Sequence, residues 1–250
     1  MLIESQYYGL VSALPVLELG KCPSPPWEAL WQSSAAYVDA NTQRLLTGLY
    51  LPLEHLPCLL GRLPEHHPYP LQLEVAQLKG ARQQLLPYVQ REELLALRQQ
   101  PLATGLASLQ LAWENWIRQF EVPLLQQYLD FSNEIENYRL QWQASEQNAL
   151  RDLLHEQEIP ALSTLEAALE QRLMPGELQQ LVHSSNSYDE SLQADGLRWR
   201  WLEDQVFHEQ FGLNALISYA LRQQISWQWY VTPEFNANSF LSSTLQKMLA

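Results

Sequence analysis

Residues with zinc-binding side chains gather in a proline-rich stretch of the chain. They are His55, Cys58, Glu65, His66 and His67. Zinc accepts imidazole, thiolate and carboxylate ligands, and the two residues between His55 and Cys58 suit a pair of ligands on one ion. A structural zinc site also needs a second pair of standard spacing, which the segment lacks. The sequence therefore favours a solvated loop that contains histidines, and we predict no metal site.

Adjacent carboxylates occur at Glu92–Glu93 and Glu203–Asp204, and paired carboxylates are one arrangement that performs general acid–base catalysis. Neighbouring residues on a helix point in different directions, so such a pair cannot grip one substrate atom. The sequence contains no serine nucleophile motif and no glycine-rich phosphate loop, and neither cysteine has a recognisable catalytic context. We therefore predict no catalytic residue and no cofactor-binding residue.

Arginines inside apolar helix stripes are a different kind of candidate. Arg139, Arg198 and Arg222 interrupt such stripes, and a buried guanidinium needs carboxylate or carbonyl partners. The acids available as partners are Glu121, Glu136, Glu203 and Glu209. Two interpretations of these arginines stay open. Either they form internal ion pairs or are simply exposed to solvent, or they form a polar surface on which a partner docks.

The tryptophan pairs favour a core. Trp113 and Trp116 are three residues apart, which puts both on one helix face, whereas Trp199 and Trp201 diverge, so one of them could face a partner. We predict that Arg198→Ala or Trp201→Ala weakens a partner complex more than it weakens the fold. The predicted partner-contacting residues are Arg139, Arg198, Trp201 and Arg222.

Helices have to position these residues. Trp199, Leu202 and Val206 recur with helical period, and Gly212 after Phe211 predicts a C-cap, after which a second apolar helix follows. The stretch 123–154 has no internal glycine or proline and predicts one long helix. Pro160 opens another helix, a break falls at 99–101, and 183–191 is a polar loop.

The hydrophobic pattern of residues 6–70 is less regular than that of the later helices. Residues 6–14 fit either a strand or a helix, and helices are predicted after Ser24 and near 42–51. Prolines recur through 52–70, which excludes regular structure there and makes this segment the best candidate for a lobe boundary. A terminal helix starts at Thr232–Pro233. Because no segment alternates with period two, we predict an all-α fold of helical hairpins in a single unit, 1–250.

Composition narrows the classes of partner. Twenty-eight acids against 15 bases give a net charge of -13, which disfavours nucleic acid and anionic membranes as partners. The N-terminus lacks the basic region of a signal peptide, and no apolar run approaches the roughly 20 residues that span a bilayer. Two cysteines are too few for a disulfide framework. We expect a cytoplasmic protein.

Two segments together resemble one known family. The opening YYGLVSALPVLELG is similar to the Tyr-Tyr-x-Leu-Val-x-x-Leu-Pro opening of an uncharacterised bacterial family whose members are encoded alongside the components of V-type (A/V-type) ATPases. The segment from Gly196 to Tyr230 is similar to that family's closing pattern, and Asn137 and Arg139 match more loosely. The matching closing positions are Asp195, Leu197, Arg198, Trp199, Phe211, Leu216, Tyr219, Leu221 and Trp227 or Trp229.

That family in turn is distantly similar to the funnel-shaped component of archaeal-type rotary ATPases that seats the central shaft on the membrane rotor ring. The resemblance implies an all-helical, three-lobed protein that couples the central stalk to this ring, without cofactor or catalytic site. Tyr37, Tyr128 and Tyr219 are evenly spaced, as three similar lobes would require. The implied partners are the stalk and rotor-ring subunits, with the inner membrane reached only through the complex. The alternatives are an assembly factor or regulator of that ATPase, and a small helical metal-dependent enzyme.

Overall fold

The computed structural model describes residues 4–19, 38–62, 86–146, 161–173, 176–182, 187–207 and 211–231. These residues form ten α-helices and a short 3-10 turn, with no strand among them, so the all-α prediction is confirmed. They divide into two compact units. The first unit is drawn from residues 1–122 and 206–250, and the second from residues 123–205.

The first unit contains seven of the described helical elements. They are α1 (Glu4–Ser12), α2 (Ala40–Gly48), the 3-10 turn (Leu51–Glu54), α3 (His55–Leu60), α4 (Arg91–Leu97), α5 (Leu102–Arg118) and α10 (Leu213–Val231). Helix α10 packs against α1 and α2, and α3 packs against α4 and α5. Of the segment 6–14 that fitted either a strand or a helix, residues 6–12 belong to α1.

The second unit is built around one long helix. Its helices are α6 (Pro123–Glu146), α7 (Leu162–Glu170), α8 (Glu177–Val182) and α9 (Ser187–Val206, of which Val206 is grouped with the first unit). The predicted long helix is confirmed as far as Glu146, and Leu125, Tyr128 and Ile135 lie on its buried stripe. Helix α7 packs against α6, which confirms the helix predicted after Pro160.

Residues 51–60 are helical, so the prediction that prolines exclude regular structure is wrong there. Pro52 is the second residue of the 3-10 turn, and Pro57 lies in the first turn of α3. The first N–H groups of a helix have no partner inside it, so a proline in that turn removes no hydrogen bond. Residues 52–62 lie inside the first unit, and the boundaries between units fall at 122/123 and 205/206.

Two predictions about α9 and its surroundings are also wrong. Helix α9 begins at Ser187, so residues 187–191 belong to a helix and not to a polar loop. Helix α9 ends at Val206, and the backbone O of Gly212 accepts from the backbone N of Ala215 at 3.2 Å. Gly212 therefore precedes α10 and does not cap α9.

Side-chain caps fix helix ends in the first unit. Asp39 Oδ1 accepts from the backbone N of Asn41 and of Thr42 at 2.9 and 3.0 Å, so it is the N-cap of α2. At the other end of α2, Trp113 Nε1 donates to the backbone O of Gly48 at 2.9 Å. The ring of Trp116 lies so close to Gly48 that a Cβ atom there would overlap it, which explains the glycine.

Several predictions fall outside the described residues. They concern the helix after Ser24, residues 183–186, the terminal helix from Thr232, and Tyr37 of the tyrosine spacing. The three-lobe arrangement therefore stays a prediction.

Candidate functional site

Arg198 on α9 lies between two carboxylates in the second unit. Its Nη1 donates to Oδ1 of Asp195, one turn earlier on α9, at 2.6 Å. Its Nη2 donates to Oε1 of Glu136 on α6 at 2.5 Å. The side chain of Arg198 is only 13% exposed, while that of Glu136 is 45% exposed. The geometry is thus that of an internal ion pair with one carboxylate at the surface.

Arg139 extends this network along α6. Its Nη1 donates to Oε2 of Glu136 at 3.1 Å, so one carboxylate binds two guanidinium groups. Its Nη2 lies 3.5 Å from Oε2 of Glu190 and 3.4 Å from Oγ of Ser191 on α9. Gln143 Nε2 donates to the same Glu190 oxygen at 3.1 Å. Polar side chains therefore join α6 to α9 at several points.

Electrostatics favour the charged form of this network. Burial by itself raises the pKa of Glu136, but the charges and hydrogen bonds of Arg198 and Arg139 outweigh it and hold the pKa below its ordinary value of 4.5. Burial opposes the charge on Arg198, yet Asp195 and Glu136 raise the pKa of its guanidinium overall. Both groups remain ionised at neutral pH.

Trp201 belongs to the core of the second unit. Only 8% of it is exposed, and its ring stacks on Phe131 with centroids 5.3 Å apart and planes at 23°. Trp199 is 7% exposed, and its Nε1 donates to Oε1 of Glu203 at 3.0 Å. The core interpretation of this pair is therefore confirmed, and a contact of Trp201 with a partner stays a prediction.

Arg222 belongs to a different unit from the other predicted partner residues. It lies on α10 in the first unit, whereas Arg139, Arg198 and Trp201 belong to the second unit. On α10 it shares a row with Ser218 and Ser226, both fully buried. The structure thus brings three of the four predicted residues into one unit, and a docking role for Arg222 stays a prediction.

The first unit contains a buried polar cluster around His55. The ring Nε2 of His55 lies 2.6 Å from the hydroxyl of Tyr88, and Arg98 Nε donates to the backbone O of Cys58 at 2.8 Å. His55 and Cys58 are 3% and 0% exposed. Side chains from residues 88–98 therefore hold both ends of α3.

Burial keeps the His55 ring and the Cys58 thiol of this cluster in their neutral forms. Burial lowers the pKa of His55 to about 3. Burial, followed by the charge of Glu54, raises the pKa of the Cys58 thiol to about 12. A protonated thiol is a poor nucleophile and a poor metal ligand. Within the described ranges no three acidic, histidine or cysteine side chains are grouped to hold a metal ion. Glu65, His66 and His67 lie outside those ranges.

Comparisons of the chain with protein-family models, curated proteins and solved structures find no match. Assignment of a function therefore depends on the residues themselves. No helix in the described part of the chain combines the length and the apolar composition needed to cross a bilayer.

Three residues that complete the Arg198 network and the His55 cluster were not predicted from the sequence: Asp195, Glu190 and Tyr88. Asp195 precedes Arg198 by three residues, and that spacing alone could have predicted the pair. Glu190 and Tyr88 reach their partners from distant parts of the chain, which no local pattern indicates. Of the acids proposed as partners, Glu136 is confirmed, and Glu209 lies outside the described residues.

Proposed function

We propose that this chain is a non-catalytic subunit or adaptor of a V/A-type rotary ATPase, coupling the central stalk to the membrane rotor ring. The observation that carries the proposal is that the opening segment that resembles the ATPase-associated family and the part of the closing segment after Gln205 pack together in the first unit. Tyr8 of the opening segment contacts Phe211 of the closing segment, with ring centroids 4.5 Å apart. Ser226 Oγ donates to the backbone O of Glu18 at 3.0 Å.

The matching positions also form much of the core of the first unit. In the opening segment Tyr7 and Leu10 are buried. In the closing segment the buried matches that belong to this unit are Leu216, Tyr219, Leu221 and Trp227. A resemblance made of apolar and aromatic residues is more informative when those residues pack together, because their spacing then reflects one three-dimensional arrangement.

Ion pairs between helices of the second unit also support a mechanical role. Arg198 on α9 binds Glu136 on α6, and Arg200 on α9 pairs with Glu177 on α8. Arg172, two residues after the end of α7, binds Glu134 on α6 at 3.1 Å. The first two pairs join different helices, the third ties the end of α7 to α6, and all three resist sliding of these elements past one another. An element that transmits torque needs such stiffness and no active site.

The proposal has consequences for location and partners. The chain would act in the cytoplasm, at the inner membrane only through the stalk and rotor-ring subunits. Arg139 and Arg198 would then act first as internal braces, and any contact they make with a partner would pass through the half-exposed carboxylate of Glu136.

The deciding experiment is affinity isolation of the tagged full chain from its own cells in mild detergent, with quantitative mass spectrometry. The expected result is recovery of ATPase head, stalk and ring subunits in fixed ratio. An unrelated acidic protein with the same tag is the control for charge-driven capture. Recovery of assembly intermediates alone would favour the assembly factor, and the absence of ATPase subunits would overturn both versions.

A further inference from the structure

We draw no further inference here: the strongest candidate, the exposed aromatic pair that Tyr8 of α1 forms with Phe211 just before α10 in the first unit, is an apolar surface patch, and nothing in the described part of the structure shows what covers it.

Discussion

Arg198 and Glu136 are 62 residues apart in sequence, yet the Nη2 and Oε1 atoms of their side chains lie 2.5 Å apart. Asp195 holds the second arm of the same guanidinium at 2.6 Å, so a single arginine connects α9 to α6. The bond to Asp195 joins two side chains that are 13% and 14% exposed, and a charge-assisted bond between such groups stabilises more than one between fully solvated groups. This connection should therefore be visible in the stability of the second unit.

Removal of Arg198 should destabilise the protein more than removal of its neighbour Arg200. Arg198→Met leaves two carboxylates without their guanidinium, and that of Asp195 is only 14% exposed, so we expect a loss of about 3 kcal/mol in the free energy of unfolding. Arg200 is on the same helix and binds one carboxylate, that of Glu177, which is 12% exposed, but its own side chain is 52% exposed. Because a single pair with a solvated guanidinium is lost, Arg200→Met should cost about 1 kcal/mol. Urea unfolding of both variants gives the comparison, and equal losses would contradict the bracing role.

The burial of Trp201 reverses the expectation drawn from the sequence, so that Trp201→Ala should weaken the fold more than it weakens a partner complex. Trp201→Ala removes a ring that is 8% exposed and stacked on Phe131, so we expect a loss of about 4 kcal/mol in the free energy of unfolding. Phe207 is 67% exposed, and Phe207→Ala should change stability by about 0.5 kcal/mol or less. Thermal unfolding measures both. An unchanged melting temperature for Trp201→Ala, with loss of the partner complex, would instead support direct docking.

His55 should make stability depend on pH from about pH 6.5 downwards, so that the loss of stability begins above the range where carboxylates titrate. Its pKa falls from 6.5 to about 3 on burial, so the unfolded chain binds a proton that the folded chain excludes. Its contribution is fully present above pH 6.5 and is lost as pH falls towards about 3, at up to about 1.4 kcal/mol per pH unit.

The matched variants for His55 separate titration from hydrogen bonding. His55→Gln cannot titrate in this range, so its unfolding free energy should fall less steeply between pH 6.5 and about pH 4. Tyr88→Phe removes the hydroxyl 2.6 Å from Nε2 but keeps the titrating ring, so its slope should remain. If wild type and His55→Gln lose stability in parallel on acidification, the buried neutral histidine is not the cause.

Asp39 should contribute to stability as an N-cap in a way that acid removes. The hydrogen bond from the Thr42 hydroxyl, at 2.6 Å, is the main cause that lowers the pKa of Asp39 from 3.8. Because the folded pKa is lowered, the contribution is present above pH 3.8 and is lost as pH falls through the folded pKa. We expect Asp39→Ala to cost about 1 kcal/mol at neutral pH, and Asp39→Asn to retain the cap without this pH dependence. Circular dichroism melts at neutral and acid pH would show a constant Asp39→Ala deficit if the prediction fails.

Replacement of Glu121 by glycine should increase the stability of the fold. Glu121 has φ 53°, in the left-handed region that side chains with a Cβ disfavour, just after the end of α5. Glu121→Gly relieves that strain but adds freedom to the unfolded chain, for an expected net gain of about 0.5 kcal/mol. Ala107 lies inside α5, where Ala107→Gly should cost about 1 kcal/mol. Differential scanning calorimetry should therefore show opposite shifts in melting temperature, and two shifts of the same sign would argue against strain at Glu121.

Local sequence pattern was sufficient to predict a helix where its position is set by residues within the helix itself. The absence of glycine and proline after Pro123 predicted α6, and the break at 99–101 separates α4 from α5 as expected. The spacing of Trp113 and Trp116 predicted that both rings are buried on one face. Periodicity succeeds here because a helix presents residues three and four apart to the same surroundings.

Local pattern failed where the end of a helix or the burial of a polar residue depends on side chains from distant parts of the chain. Gly212 fitted a C-cap by its position in the sequence, yet α9 ends at Val206 and Gly212 precedes α10. Residues 187–191 looked like a polar loop, but in α9 Glu190 and Ser191 contact Arg139, which compensates for their polarity.

The helical character of this protein and the apolar side of its helices can be read from local pattern, because both depend on residues within a few turns of one another. The pairing of Arg198 with Glu136, the burial of both Trp199 and Trp201, and the division into two units become visible only in the folded chain. The physical reason is that these outcomes depend on side chains brought across from distant segments. The burial and the charge state of a side chain depend on the neighbours packed around it, and the spacing of residues along the chain does not reveal those neighbours.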